Sequence, residues 1–120
     1  MPILDIEVVT SGTLDGSLAS RLADMAGQIF GSPPASTWVR LRTLPEHLYA
    51  ENNTSQPDGW RSVFVTVRKA VCPTGAALEA EVRALTEGIA RVCERPIESV
   101  HILYEPDARG RIAFGGSLRA

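Results

Sequence analysis

Cysteine is scarce in this 120-residue sequence, which holds only Cys72 and Cys93. Two thiols are too few for a disulfide scaffold, and their separation matches no metal-ligand spacing. Each lies beside an expected helix end, where a small buried thiol is the plain reading. Long apolar runs are missing too. No stretch approaches the roughly 20 residues of a membrane span. No basic region precedes an apolar run in MPILDIEVVTSG, so a secretory signal is not expected. An excess of charge of one sign is also absent. The net charge is -2 and the Lys and Arg residues are scattered, which gives no electrostatic reason to expect nucleic acid as a partner. Asn52-Asn53-Thr54 fits the glycosylation pattern, but a cytoplasmic chain leaves it bare. The expectation is a cytoplasmic, reduced, soluble protein without nucleic-acid or membrane partners.

What is present suits one compact domain over residues 1–120. Apolar residues make up 44% and charged residues 22%, enough to bury a core and too ordinary for disorder. Ile3 to Val9 alternates loosely and is rich in branched residues, so it reads as a strand. Thr13 is placed to cap a helix whose apolar face is Leu14, Leu18, Leu22, Met25 and Ile29. Gly31-Ser32-Pro33-Pro34 stops that helix, because proline cannot continue it. Thr37 to Leu44 reads as a second strand, with Trp38, Arg40 and Arg42 on one face and Val39 and Leu41 on the other. Pro45 to Trp60 is polar and carries turn signals at Asn52-Asn53 and Pro57-Asp58-Gly59.

The pattern then repeats. Arg61 to Arg68 predicts a third strand, and Pro73-Thr74 opens a second helix with Leu78, Val82, Leu85, Ile89 and Val92 on its apolar face. Arg95-Pro96 ends it. Ser99 to Glu105 predicts a fourth strand, and Arg111 to Leu118 a short final one entering Gly115-Gly116. Phe30-Gly31-Ser32-Pro33 in the first half corresponds to Cys93-Glu94-Arg95-Pro96 in the second, and each leads into a strand and then a proline. That is an internal repeat of roughly sixty residues, about 1–60 and 61–120. Two right-handed β-α-β units side by side imply an α+β fold: one four-stranded mixed sheet, two helices on one face, and a small strand after each half. The sheet face opposite the helices is then uncovered. It is expected to be too apolar to meet water alone, which predicts an oligomer.

A Met-Pro start that opens the first strand, two β-α-β units and a Gly-Gly hairpin together resemble the tautomerase superfamily. Ser99 to Gly116 (SVHILYEPDARGRIAFGG) is similar to the end of a 4-oxalocrotonate tautomerase subunit. FGSPPASTWVRLRTLPEHLYAENN is similar to the middle of macrophage migration inhibitory factor. The length resembles the longer members, including 5-carboxymethyl-2-hydroxymuconate isomerase, in which one chain holds two fused units. The resemblance covers nearly the whole chain.

The resemblance implies a catalytic base at Pro2, whose ring nitrogen becomes a secondary amine once Met1 is removed. Burial or nearby positive charge lowers such an amine's pKa toward neutrality, where it works as a general base. It also implies a substrate carboxylate on Arg40, with Arg42 as a second candidate on the same strand face, and a planar guanidinium suits that task. His101 falls at the matching place in the second half. Tyr49 and Ile112 fall near the residues that line the family's site, and Lys69 lies where some relatives carry a cation. The sequence departs from the family in three places. Gly12 or a neighbour replaces an arginine after the first strand, Asn52-Asn53 replaces Gly-Gly, and His101 replaces arginine.

The implied activity is keto-enol tautomerisation or double-bond isomerisation of a small 2-oxo or 2-hydroxy-alkenoic acid, with no metal or organic cofactor. Hydration, dehalogenation or decarboxylation on the same fold, with Glu46, Glu105 or Asp107 positioning water, stays open. So does a non-catalytic binding or oligomerisation module. Two fused units per chain imply a homotrimer with three sheets around a central channel.

Overall fold

The computed structural model describes residues 1–55 and 61–119. The expected turn at Pro57-Asp58-Gly59 lies outside the described residues. In chain order the elements are β1 (Ile3–Thr10), α1 (Leu18–Phe30), β2 (Trp38–Pro45), β3 (Val63–Arg68), α2 (Gly75–Cys93), β4 (Val100–Tyr104), β5 (Ala113–Phe114) and β6 (Ser117–Leu118). The four long strands form one sheet in the order β2-β1-β3-β4. β1 is parallel to β2 and β3 to β4, as right-handed crossovers require, while β1 and β3 meet antiparallel at the centre. The pairs Ile3–Arg68 and Glu7–Phe64 exchange under a two-fold axis through the Asp5–Thr66 pair. The outer parallel pairs β1–β2 and β3–β4 lie on opposite sides of this axis.

Alternation puts Leu4, Ile6, Val8, Val63, Val65, Val67 and Val100 on the helix side of the sheet. There they meet Leu18, Leu22, Met25 and Ala26 of α1, and Leu85, Ile89 and Ala90 of α2. Full burial of a side chain such as Leu22 or Leu85 stabilises the fold by about 1.5–3 kcal/mol. The helices touch closely at Gly88, where a Cβ atom would lie 2.5 Å from Met25 Sδ. Among the described residues no helix is long and apolar enough to cross a membrane.

The structure corrects three local expectations. First, α1 begins at Leu18, not after Thr13. The Asp15 carboxylate accepts hydrogen bonds from the Ser17 N–H (2.7 Å) and hydroxyl (2.7 Å), and the Leu18 N–H bonds Asp15 O. This tight turn competes with the helix for residues 14–17. Second, β5 and β6 form a hairpin around Gly115-Gly116, but the first half has no matching strand among its described residues. It has instead a 3-10 turn over Glu46–Leu48, closed by Tyr49 N–H on Glu46 O, and a turn at Asn52-Asn53. Third, the uncovered sheet face is charged at its centre, with its apolar side chains to the sides. Asp5 holds both Arg40 and Arg68, Glu7 lies 3.5 Å from Arg42, and Arg68 lies 3.8 Å from Glu105. Phe64 and Leu103 lie on the β3–β4 side of this network, and Trp38 at the start of β2.

Candidate active site

Pro2 is buried where the chain enters β1, and its carbonyl accepts the Trp38 N–H at 3.0 Å. It lies at a cavity of about 380 Å³ whose wall includes Phe30, Ser32, Ser36, Lys69 and Arg119. The Phe30–Pro33 segment reaches this place because Gly31, at φ 63°, turns the chain out of α1, and its N–H bonds Gln28 O. A left-handed residue just past a helix is the role glycine performs without steric cost.

Lys69 follows the last residue of β3, and its side chain is held from two sides. Its ammonium lies 2.8 Å from Glu81 Oε1 and 4.6 Å from the centre of the Phe30 ring. Glu81 in turn accepts the Tyr104 hydroxyl at 2.5 Å, and burial together with that bond pushes the Tyr104 phenol upward. The side chains of Lys69 and Glu81 are only 17% and 14% exposed, so this pair is fixed in place.

Arg119 arrives from the other side. The segment after β4 bonds back to the exit of β3, through Ala108 N–H on Lys69 O (3.0 Å) and Arg109 N–H on Ala70 O (3.1 Å). The β5–β6 hairpin then packs Phe114 edge-on against Trp38, with ring centres 5.3 Å apart. Arg119 N–H bonds Ile112 O, and the residue lines the Pro2 cavity. Electrostatics follow from this placement. The amino group of Met1 lies in the same cavity, and burial first, then Arg119 and Lys69, lower its pKa below 8.0.

The other candidate residues lie elsewhere in the single chain. Arg40 binds Asp5 through two bonds (Nε–Oδ1 2.5 Å, Nη2–Oδ2 2.8 Å) and with Arg42 borders a separate depression on the open sheet face. Tyr49 and His101 do come together, around Phe64, at 5.7 and 5.4 Å between ring centres. The Tyr49 hydroxyl donates to Glu51 (2.7 Å) and accepts from the buried Ser62 (3.2 Å). Glu51, Ser62 and His101 line a cavity of about 420 Å³ in the second half, where Pro96 and Ser99 stand as Pro33 and Ser36 stand beside Pro2. Ile112 reaches the first site only through its backbone bond to Arg119. A larger depression of about 820 Å³ beside α1 has Asp24 as its one ionisable lining residue, so it offers no set of groups for acid–base chemistry. Cys72 and Cys93 are half-buried free thiols, and burial raises both above their usual range.

Sequence reasoning missed Arg119 and the Glu81–Tyr104 support of Lys69. Nothing local marks them, since Arg119 meets the cavity, and Glu81 and Tyr104 meet Lys69, through tertiary packing.

No protein-family model matches the sequence, and no curated protein matches it either. Solved structures do match. A fused 4-OT, described as a wild-type symmetric trimer, superposes with a TM-score of 0.75 at 16% identity, covering 98% of this chain and 94% of that one. The protein Pt0534, inactivated by 2-oxo-3-pentynoate, gives 0.74 at 20% identity over 98% and 94%. A macrophage migration inhibitory factor-like protein from Entamoeba histolytica gives 0.75 at 10% identity over 98% and 97%. The chain has the tautomerase fold. The four-stranded mixed sheet, the two helices on one face and the added hairpin are the arrangement expected from the repeat. At these identities the likeness establishes the architecture of the tautomerase fold and leaves the chemistry to the residues at its sites.

Proposed function

We propose that this protein is a cofactor-independent tautomerase or isomerase that moves a proton on a small 2-oxo or 2-hydroxy-alkenoic acid, with the Pro2 amine as general base. One observation carries the reading. Pro2 is buried at a cavity that presents two cations, Lys69 and Arg119. Removal of Met1 leaves a secondary amine there. Burial, Arg119 and Lys69, which lower the pKa of the Met1 amine, favour the neutral form of such an amine as well, the form a general base needs. The neutral nitrogen takes a proton from an enol hydroxyl or from the carbon beside a carbonyl, then returns it elsewhere on the substrate. The cations stabilise the negative oxygen that develops between the two transfers.

A carboxylate that could position water is absent from the described lining of this cavity. Glu105 faces Arg68, and Asp107 accepts the Cys72 N–H at 2.9 Å. This favours proton transfer over hydration or dehalogenation. Arg40 and Arg42 are engaged with Asp5 and Glu7 on the open sheet face. A role for them in substrate binding requires the site of a neighbouring copy. A homotrimer of this chain supplies such neighbours, and the fused 4-OT neighbour is described as a symmetric trimer.

The test is tautomerisation of phenylenolpyruvate and 2-hydroxymuconate by Pro2→Ala beside the parent, with the intact mass of each recorded to establish Met1 removal. The expected loss in kcat is about 10²-fold or more. An unchanged rate in a correctly processed variant overturns the assignment.

A further inference from the structure

We infer that Arg119, carried by the β5–β6 hairpin, is the residue that binds the substrate carboxylate in the Pro2 site. The inference rests on the reading of Pro2 as the base and specifies how that site takes hold of an acid. The two cations at the cavity are not equivalent. Lys69 is already paired with Glu81, seated on Phe30 and largely buried. Its ammonium has little charge left to offer a second anion, and it suits a fixed donor to a developing oxyanion. Arg119 is exposed, and no carboxylate among the described residues pairs with it. Its planar fork matches a carboxylate with two parallel bonds, which a lysine cannot reproduce.

The placement of Arg119 depends on the hairpin. Gly115 and Gly116, at φ 58° and 89°, make the reversal that sends β6 back along β5. Phe114 on Trp38 ties the outer end of the hairpin to the start of β2, whose first N–H is bonded to Pro2. Arg119 N–H on Ile112 O closes the inner end at 2.9 Å. The carboxylate-binding group and the base are thus linked through one short chain of contacts, Arg119–hairpin–Phe114–Trp38–Pro2. This differs from the arrangement the sequence suggested, in which strand arginines clamp the acid. It also compensates for the arginine missing after β1.

The experiment compares phenylenolpyruvate with its methyl ester, which keeps the reacting enol and lacks the charge. In Arg119→Ala, kcat/KM for the acid is expected to fall about 10²-fold, at least tenfold more than kcat/KM for the ester. Arg119→Lys should recover part of the loss. Benzoylformate, a 2-oxo acid that cannot enolise, should lose at least tenfold as a competitive inhibitor. Phe114→Ala, which unties the hairpin, should give a weaker loss of the same acid-selective kind. Equal slowing of acid and ester, or no change in either, overturns the inference. Failure of the underlying reading looks different: Pro2→Ala would keep its turnover of both compounds, while Arg119→Ala would still weaken benzoylformate.

Discussion

Asp5 shows how far one side chain can organise a surface. Its carboxylate is 12% exposed and accepts bonds from Arg40 and Arg68 at once. The Arg40 bond, chiefly, with help from Arg68 and against some desolvation, pulls its pKa from 3.8 to about 2. A carboxyl with a depressed native pKa contributes stability above its unfolded value, and the contribution disappears as pH falls through the native value. Unfolding midpoints should therefore drop between about pH 4 and pH 2, and Asp5→Asn should flatten that part of the curve. A urea titration at several pH values checks this. Arg40 is 69% exposed, so solvent screens its share and the effect at pH 7 is modest. At this scale the sequence was only partly legible. The strands and loops of Pro2, Arg40, Tyr49 and His101 follow from alternation, but the expected match of His101 with Arg40 does not hold. Phe64 pairs with His101 as Ile3 pairs with Trp38, so His101 matches Trp38 and Arg40 matches Leu103. The partners of these residues do not follow either, because Asp5 and Arg40 are joined by strand pairing that no local pattern encodes.

The elements follow mostly from periodicity. Helix faces and strand alternation were readable because each sorts one apolar stripe toward one core. What failed was local competition, seen at the Asp15–Ser17 turn, which takes the first turn from α1. The contact between the helices makes a sharper claim. Gly88 has no side chain because Met25 occupies its space, so Gly88→Val must displace the Met25 Sδ and Cγ atoms. Overpacking of this kind costs about 1–3 kcal/mol. Chemical denaturation should show a lowered midpoint with an unchanged slope. A parent-like midpoint would mean that the helices part without cost.

Taken as a whole, the molecule has a closed side and an open one. Helices cover one face of the sheet, and the other shows an ion network with Phe64, Leu103 and Trp38 beside it. Leu103 is 63% exposed, an unfavourable position for a large apolar side chain unless a second surface meets it. If copies of the chain pair through this face, sedimentation at micromolar concentration should give a trimer, and Leu103→Asp should reduce it to monomers with their fold intact. A parent protein that sediments as a monomer would remove this expectation, and with it any part for Arg40 at a neighbour's site.

The two-fold axis through the central strands carries a last consequence. Val63 occupies in β3 the place that Pro2 occupies in β1, but it lies mid-chain and its nitrogen is tied in a peptide. If Met1 is removed as proposed, joining two like halves end to end leaves the chain an amine at Pro2 and none at Val63. On the proposed reading, symmetry of shape coexists with asymmetry of reactivity: one centre per chain, and a hollow beside Ser62 and His101 without the amine proposed for its counterpart.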